Sequence, residues 1–188
     1  MSFDARLFKG TDAMIPVLET ARLILRAHKR EDFEALHAMW AHPSVYRYIS
    51  GKPSTREQSW ARLLRYAGMW PLIGYGFWAL EEKASGRFIG ELGFGNFERD
   101  IEPRFGDTPE MGWVLAPEIH GRGYASEAIS RVVGWGENAF EQDRALCIIS
   151  PGNAASLRVA EKNGFSKMLE TSYTGEPVIL LERPFGVK

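Results

Sequence analysis

The apolar positions of this chain change period several times, and each change predicts an element. Leu23 and Leu25 alternate with Arg22 and Arg26, which predicts a short strand exposed on one face. Phe33, Leu36 and Trp40 then recur at helical spacing behind Glu31 and Asp32, whose charges suit the positive end of a helix, and Pro43 is expected to stop the run. A second helix is expected from Ser54-x-x-Glu57, which has capping-box spacing, with Trp60, Leu63, Leu64 and Ala67 as its apolar stripe before Pro71. From Tyr75 the pattern turns strand-like over residues 75–80, 88–97 and 111–115, with a turn at 83–86. This reads as an antiparallel meander. Gly90, Gly93 and Gly95 weaken its middle strand unless that strand bulges or is closely covered.

Residues 98–109, charged and carrying two prolines, read as a mobile loop. After Gly123 the helical period returns, with Ala125, Ala128, Ile129, Val132, Val133 and Phe140 on one face, followed by an apolar strand over 145–149. Strand, helix, strand implies a right-handed parallel crossover. Asn153 can cap a further helix that closes at Gly164, and the last strands fall from Phe165 onward and at 178–181. The succession predicts one α/β (α+β) domain over residues 18–188, with a mixed, mostly antiparallel central sheet flanked by helices, behind an N-terminal arm of residues 1–17.

Composition narrows the partners. The 188 residues are 45% hydrophobic and 25% charged, enough for one substantial core. Lys plus Arg (23) nearly balances Asp plus Glu (24), so no net field draws the chain to nucleic acid or to an acidic membrane, and any polyanion must be held locally. The single cysteine, Cys147, sits in an apolar run, which excludes an intramolecular disulfide and fits a reducing cytoplasm. His28, His37 and His42 have neither metal spacing nor a serine partner, so no metal site is expected. No leader and no run of about 18 apolar residues is visible, so a soluble, unexported protein is expected. Trp40 and Trp60 fall on helical core stripes, whereas Trp70, Trp78 and Tyr75 are candidates for lining a substrate pocket. The oligomeric state is open, a homodimer included.

The most informative segment runs from Glu110 to Ala128. A strand ends at Pro117, a turn carries Gly121 and Gly123 around Arg122, and a helix starts within a few residues. Unpaired N–H groups at that start, the helix dipole and Arg122 suit a phosphate or pyrophosphate. Alone, such a turn is more often structural, and it matches neither the P-loop nor the dinucleotide fingerprint. Further on, Asn153 reads as an N-cap, Ser156 as a first-turn residue and Gly164 as a helix terminator.

Together, the meander, the Gly121-Arg122-Gly123-Tyr124-Ala125 helix start, the following strand, and Asn153-x-x-Ser156 closing in Asn163-Gly164-Phe165 resemble the Gcn5-related N-acetyltransferase (GNAT) superfamily over about residues 18–185. Glu110-Met111-Gly112-Trp113-Val114-Leu115 and the opening Leu18 to Arg26 are most similar to its ribosomal-protein N-terminal (alanine/serine) acetyltransferase branch. The resemblance implies a sheet splayed between the strand ending near Leu115 and the strand over 145–149. It implies acetyl-CoA as cosubstrate without a metal, and an amine acceptor that is a protein N-terminus or a small molecule. Val114 and Leu115 would then offer backbone groups to the pantetheine arm and thioester, and His120, Gly121, Arg122, Gly123, Tyr124 and Ala125 would wrap the pyrophosphate. Asn153 would bond the pantetheine and Ser156 would lie near the sulfur. Where the family often has Gln or Arg, this chain has His120; where many members have a proton-donating tyrosine, it has Ala160.

The chemistry then needs a proton acceptor. A free α-amine of pKa about 8 is roughly a tenth neutral at pH 7, whereas a lysine is neutral less than about one part in a thousand. Glu110 is the expected base, directly or through a water, with Glu91 as its rival and Ser156 as helper of the leaving thiolate. The absent tyrosine also motivates an alternative, a CoA-binding sensing module without turnover.

Overall fold

The computed structural model describes residues 15–186. Most of the expected arm lies outside the described residues; its last three lead into β1, Leu18–Glu19. Next come β2 (Leu23–Arg26), α1 (Phe33–Trp40), α2 (Pro43–Tyr46) and α3 (Arg56–Ile73). The meander is β3 (Phe77–Glu82), β4 (Phe88–Gly95) and β5 (Glu110–Leu115). Then follow α4 (Tyr124–Ala139), β6 (Arg144–Ile149), α5 (Ala154–Lys162), β7 (Ser166–Tyr173) and β8 (Glu176–Pro184). The eight strands form one sheet in the order β1-β2-β3-β4-β5-β6-β8-β7, antiparallel everywhere except between β5 and β6.

Alternation along the central strands sorts the two faces. Trp78, Leu80, Leu92 and Phe94 are fully buried and belong to the core into which α4 sends Ile129, Val132 and Val133. Phe77, Ala79 and Glu91 point the other way, beneath α1 and α3, where the Tyr66 and Phe77 rings stack at 4.4 Å. The glycines of β4 answer to close approach. A Cβ at Gly93 would stand 2.2 Å from the Gly76 carbonyl oxygen, and one at Gly90, beside the β3–β4 register shift, 2.6 Å from that of Val114. The middle strand therefore both bulges and is tightly covered.

Several local expectations shift. The N-cap of α3 is Thr55, not Ser54: Thr55 Oγ1 accepts from the Gln58 N–H at 3.2 Å, and Gln58 returns the bond to Thr55 N–H at 3.0 Å. The box moves because Ser54 is buried, its hydroxyl turned toward Arg62. The buried stripe of α3 is Ser59, Leu63, Tyr66, Met69 and Trp70, which leaves Trp60 and Leu64 exposed. Pro71 falls within the last turn, and the helix ends at Gly74 in the left-handed region (φ 81°). Pro43 stops α1 but also opens α2 at its first turn, where proline has no N–H to lose. Trp70 and Trp78 are core residues, packed edge to face at 4.6 Å beside Trp135, and Tyr75 is half-buried against Phe140, so this trio lines no acceptor pocket. Aromatic area of that size stabilises most where water is fully excluded.

Candidate active site

The site is organised by an interrupted ladder. β5 and β6 pair at one position only, Glu110 opposite Leu146, where the Leu146 N–H donates to the Pro109 carbonyl at 3.0 Å. Beyond it the strands share no hydrogen bonds, and a gap opens toward residues 115 and 149. The Ala116 N–H donates to the Ile89 carbonyl at 2.9 Å, so even-numbered β5 residues spend their main-chain groups on β4. Trp113 and Leu115 turn theirs toward the gap. Of the two expected backbone contributors, Val114 sits opposite Glu91 with its main-chain groups turned to β4, whereas Leu115, like Trp113, turns its own toward the gap. His120 Nε2 donates to the Leu115 carbonyl at 2.8 Å, which leaves the N–H groups of Trp113 and Leu115 as the gap's donors and gives His120 a positioning contact.

The start of α4 closes the wide end. Gly121 and Gly123 have φ of 74° and 81°, a conformation that costs any side-chain-bearing residue strain, and no side chain caps the first-turn N–H groups of α4. Arg122 has no ion-pair partner among the described residues and lies 5.3 Å over the Tyr124 ring. The turn is held from behind: Arg22 forks onto Glu127 at 2.6 Å and donates to the Arg122 carbonyl at 2.9 Å, while Thr20 Oγ1 also reaches Glu127. Glu127 is thereby neutralised at the helix end that would hold an anion. Tyr124 is buried with its hydroxyl on Glu82, and Ala125 follows in the first turn. Across the gap, Asn153 Oδ1 accepts from the Ser156 N–H at 3.1 Å, which orients both residues at the start of α5. Ala160 is fully buried, one turn further along that helix.

Two carboxylates are buried under the α1/α3 face. Glu110, at the narrow end of the gap, is 4% exposed and receives both arms of Arg99, at 2.6 and 2.7 Å. Burial raises its pKa and the Arg99 guanidinium opposes that rise. Arg99 is itself held between Phe97 and Tyr173, with ring centroids at 4.8 and 4.7 Å. A cavity of about 420 Å³ borders both residues, lined by the 95–100 segment, Arg104, Phe105 and Thr108. Glu91 is fully buried in β4; its Oε1 accepts from Trp40 Nε1 at 2.8 Å and its Oε2 has no hydrogen-bond partner. Burial pushes its pKa up to about 7 against the opposing pull of Trp40, Arg62, Tyr66 and Arg65. Arg62 lies over the Trp40 ring at 3.5 Å with its Nε unsatisfied, and half-buried His28, whose two ring nitrogens meet no partner among the described residues, stacks on Tyr66 at 5.4 Å.

The remaining candidates recede. Cys147 is buried with its thiol pKa pushed well up by burial, so it is no nucleophile. His37 meets Ser59 at 3.0 Å and His42 caps α2, and among the described residues no cluster of three His, Cys, Asp or Glu could hold a metal. Sequence reasoning missed Arg99, Arg62 and the Arg22–Glu127 tie, none of which carries a local pattern.

A family model described as an acetyltransferase (GNAT) domain matches residues 22–166. YoaA of Bacillus subtilis, an uncharacterized N-acetyltransferase, is 32% identical over 155 residues, which cover 82% of this chain and 85% of that protein. A Bordetella pertussis protein described as a GnaT-family acetyltransferase superposes with a TM-score of 0.79 at 32% identity, covering 90% of this chain and 99% of that one. The ribosomal-protein-S5-alanine acetyltransferase of Vibrio fischeri shares the fold, with a TM-score of 0.71 at 20% identity over 91% of this chain and 97% of its own.

Proposed function

The chain belongs to the GNAT family and is an N-acetyltransferase, and on that premise we propose that it moves the acetyl group of acetyl-CoA to a primary amine, the α-amine of a protein or peptide N-terminus, by direct attack in a ternary complex. One observation carries the donor half: a gap in the sheet whose unpaired N–H groups, from Trp113 and Leu115, lead into an uncapped glycine turn beside Arg122. Such a gap accepts a narrow, amide-rich arm as a strand would be accepted, with its carbonyls on those N–H groups. The 121–125 turn and Arg122 suit its pyrophosphate. Asn153 and Ser156 face the arm from α5.

In the reaction the amine gives a proton to Glu110 and attacks the thioester carbonyl. The C–N bond forms, the C–S bond breaks, and the remaining ammonium proton leaves through Ser156 to the departing thiolate. Gap-facing N–H groups steady the oxyanion. Ser156 need only support departure, since a thiol of pKa about 8.5 leaves without a strong acid. A carboxylate already engaged by an arginine is a weak base, which supports an α-amine over a lysine as acceptor.

The test combines two assays. Excess CoA, at 100 times its Kd, should stabilise the fold by about 2.7 kcal/mol. Thiol release from acetyl-CoA should then be faster with dipeptides bearing a free α-amine than with the same peptides N-blocked and carrying a lysine. Stabilisation by CoA with no thiol release across amines would instead favour a sensing module, which the buried Ala160 in place of a tyrosine motivates.

A further inference from the structure

The bidentate Arg99–Glu110 pair poses a chemical problem that the proposed function leaves open. A base whose two oxygens each accept from a guanidinium has its charge already compensated and the best-placed lone pair of each oxygen taken up. A buried carboxylate without that guanidinium would, conversely, hold its proton at neutral pH and act as a base only at higher pH. We propose that Arg99 is a positioning residue that keeps Glu110 ionised in the free enzyme and yields one of its oxygens to the incoming ammonium group of the acceptor, which enters through the cavity bordered by residues 95–110. This rests on Glu110 being the base in the reading above.

Geometry supports the exchange. The backbone of Glu110 is fixed in the ladder opposite Gly95 and Leu146, whereas Arg99 comes from the loop between β4 and β5, outside any strand. Its guanidinium carbon lies 4.8 Å from the Phe97 ring centroid and 4.7 Å from that of Tyr173, so aromatic faces would still hold the cation if it gave up one Glu110 oxygen. The cavity of about 420 Å³ is lined by both Arg99 and Glu110, so an acceptor there meets the pair directly. Exchanging one cation for another at a buried carboxylate conserves charge, which avoids the cost of leaving that charge unpaired. The other titratable groups around the pair are Arg65 of α3, Cys147 of β6 and Tyr173 of β7, with Glu98, Asp100 and Arg104 lining the same cavity. Of all these groups only Arg99 is hydrogen-bonded to Glu110, through both carboxylate oxygens, so Arg99 is its dominant partner.

The proton ledger closes: the ammonium group gives one proton to Glu110, Glu110 returns it to solvent after product leaves, and Arg99 stays charged throughout.

The experiment compares kcat/KM from pH 6 to pH 9.5 for wild type, Arg99→Met, Arg99→Lys and Glu110→Gln with one dipeptide acceptor. Methionine keeps an apolar body between the two rings and removes the charge. Arg99→Met is expected to lose about tenfold or more at pH 7 and to recover to within roughly threefold by pH 9, because its acidic limb moves to higher pH. Arg99→Lys should fall between, and CoA affinity should stay within about twofold in all variants. A loss in Arg99→Met that is equal at every pH means Arg99 only holds the loop, and overturns the inference. Should Arg99→Met not fold, Arg99→Lys carries the test: its limb must move in the same direction. A Glu110→Gln profile that superimposes on wild type removes the base itself, and so refutes the reading beneath the inference rather than the role of Arg99.

Discussion

Replacing Glu91 by glutamine should stabilise this protein, and more so the higher the pH. Glu91 is fully buried, bonded through one oxygen to Trp40 Nε1, and its folded-state pKa is raised from 4.5 to about 7, burial being the leading cause. A raised pKa means that between pH 4.5 and 7 the folded chain holds a proton the unfolded chain has released. That contribution is fully present below pH 4.5 and is lost as pH rises through 7. The shift of about 2.5 units corresponds to on the order of 3 kcal/mol, an upper bound because water or a rotated Arg62 can relieve the anion. Glutamine keeps the acceptor for Trp40, offers the Tyr66 hydroxyl a donor, and cannot ionise. The advantage of Glu91→Gln should therefore be smallest at pH 5 and approach its maximum by pH 8, worth roughly 2–4 °C in Tm per kcal/mol for a domain of this size. His28 does not confuse the comparison, since its pKa, lowered by burial to about 4, leaves it neutral across the window. Urea titrations of both proteins at pH 5, 6, 7 and 8 measure the difference. A stability difference that does not change with pH would refute the reasoning, because it would mean that Glu91 does not titrate in this range.

Gly123→Val should weaken CoA binding at least about tenfold by calorimetry, since φ of 81° is hostile to a β-branched residue and the pyrophosphate turn must distort; it should also cost on the order of 1–2 kcal/mol of stability. Gly93→Ala should destabilise by about 2 kcal/mol or more in denaturant titrations, because its Cβ would stand 2.2 Å from a backbone oxygen that the β3–β4 ladder holds in place. Ser156→Ala should lower kcat by about tenfold or less with KM for acetyl-CoA little changed, as expected where a thiolate leaves with modest help.

What was legible in the sequence follows from how far apart the cooperating residues are. The period changes gave the strand and helix succession because each element's burial pattern is local, and the parallel crossover followed from the one strand–helix–strand unit. Boundaries failed where two residues competed for one task, as with Ser54 and Thr55, and where tertiary contact chose the face: Trp60 and Leu64 have the right spacing, but α1 and β3 bury the Leu63, Tyr66 and Trp70 stripe instead. In the candidate site, residues 121–125 and Asn153 with Ser156 stood out because they act through backbone geometry written in consecutive residues. The Arg99–Glu110 and Trp40–Glu91 contacts join residues 11 and 51 positions apart, and no period or spacing announces such pairs. Which N–H groups of residues 113–115 face the gap is likewise fixed only by the register of β5 on β4, which no local pattern states.

That register also limits which carboxylate can serve the reaction. Glu91 pairs with Val114 and Gly95 pairs with Glu110, so the two acids stand on one face of the sheet, separated along β4 by four residues, or about 14 Å. A thioester held by the N–H groups of Trp113 and Leu115 would lie nearer the level of Glu91 than that of Glu110. Distance alone would therefore favour Glu91. Access argues the other way: Glu91 is sealed beneath Trp40, Arg62 and Tyr66, whereas Glu110 borders an open cavity. Charge separates them too, since Glu110 has an arginine on both oxygens while Glu91 has burial opposing its ionisation and one oxygen unpartnered. On the reading proposed above, an amine entering through the cavity would meet Glu110 before it reached the thioester. A proton handed to Glu91 instead would leave an acidic limb near pH 7 that Arg99 variants do not move. The limb's response to Arg99 thus identifies the carboxylate.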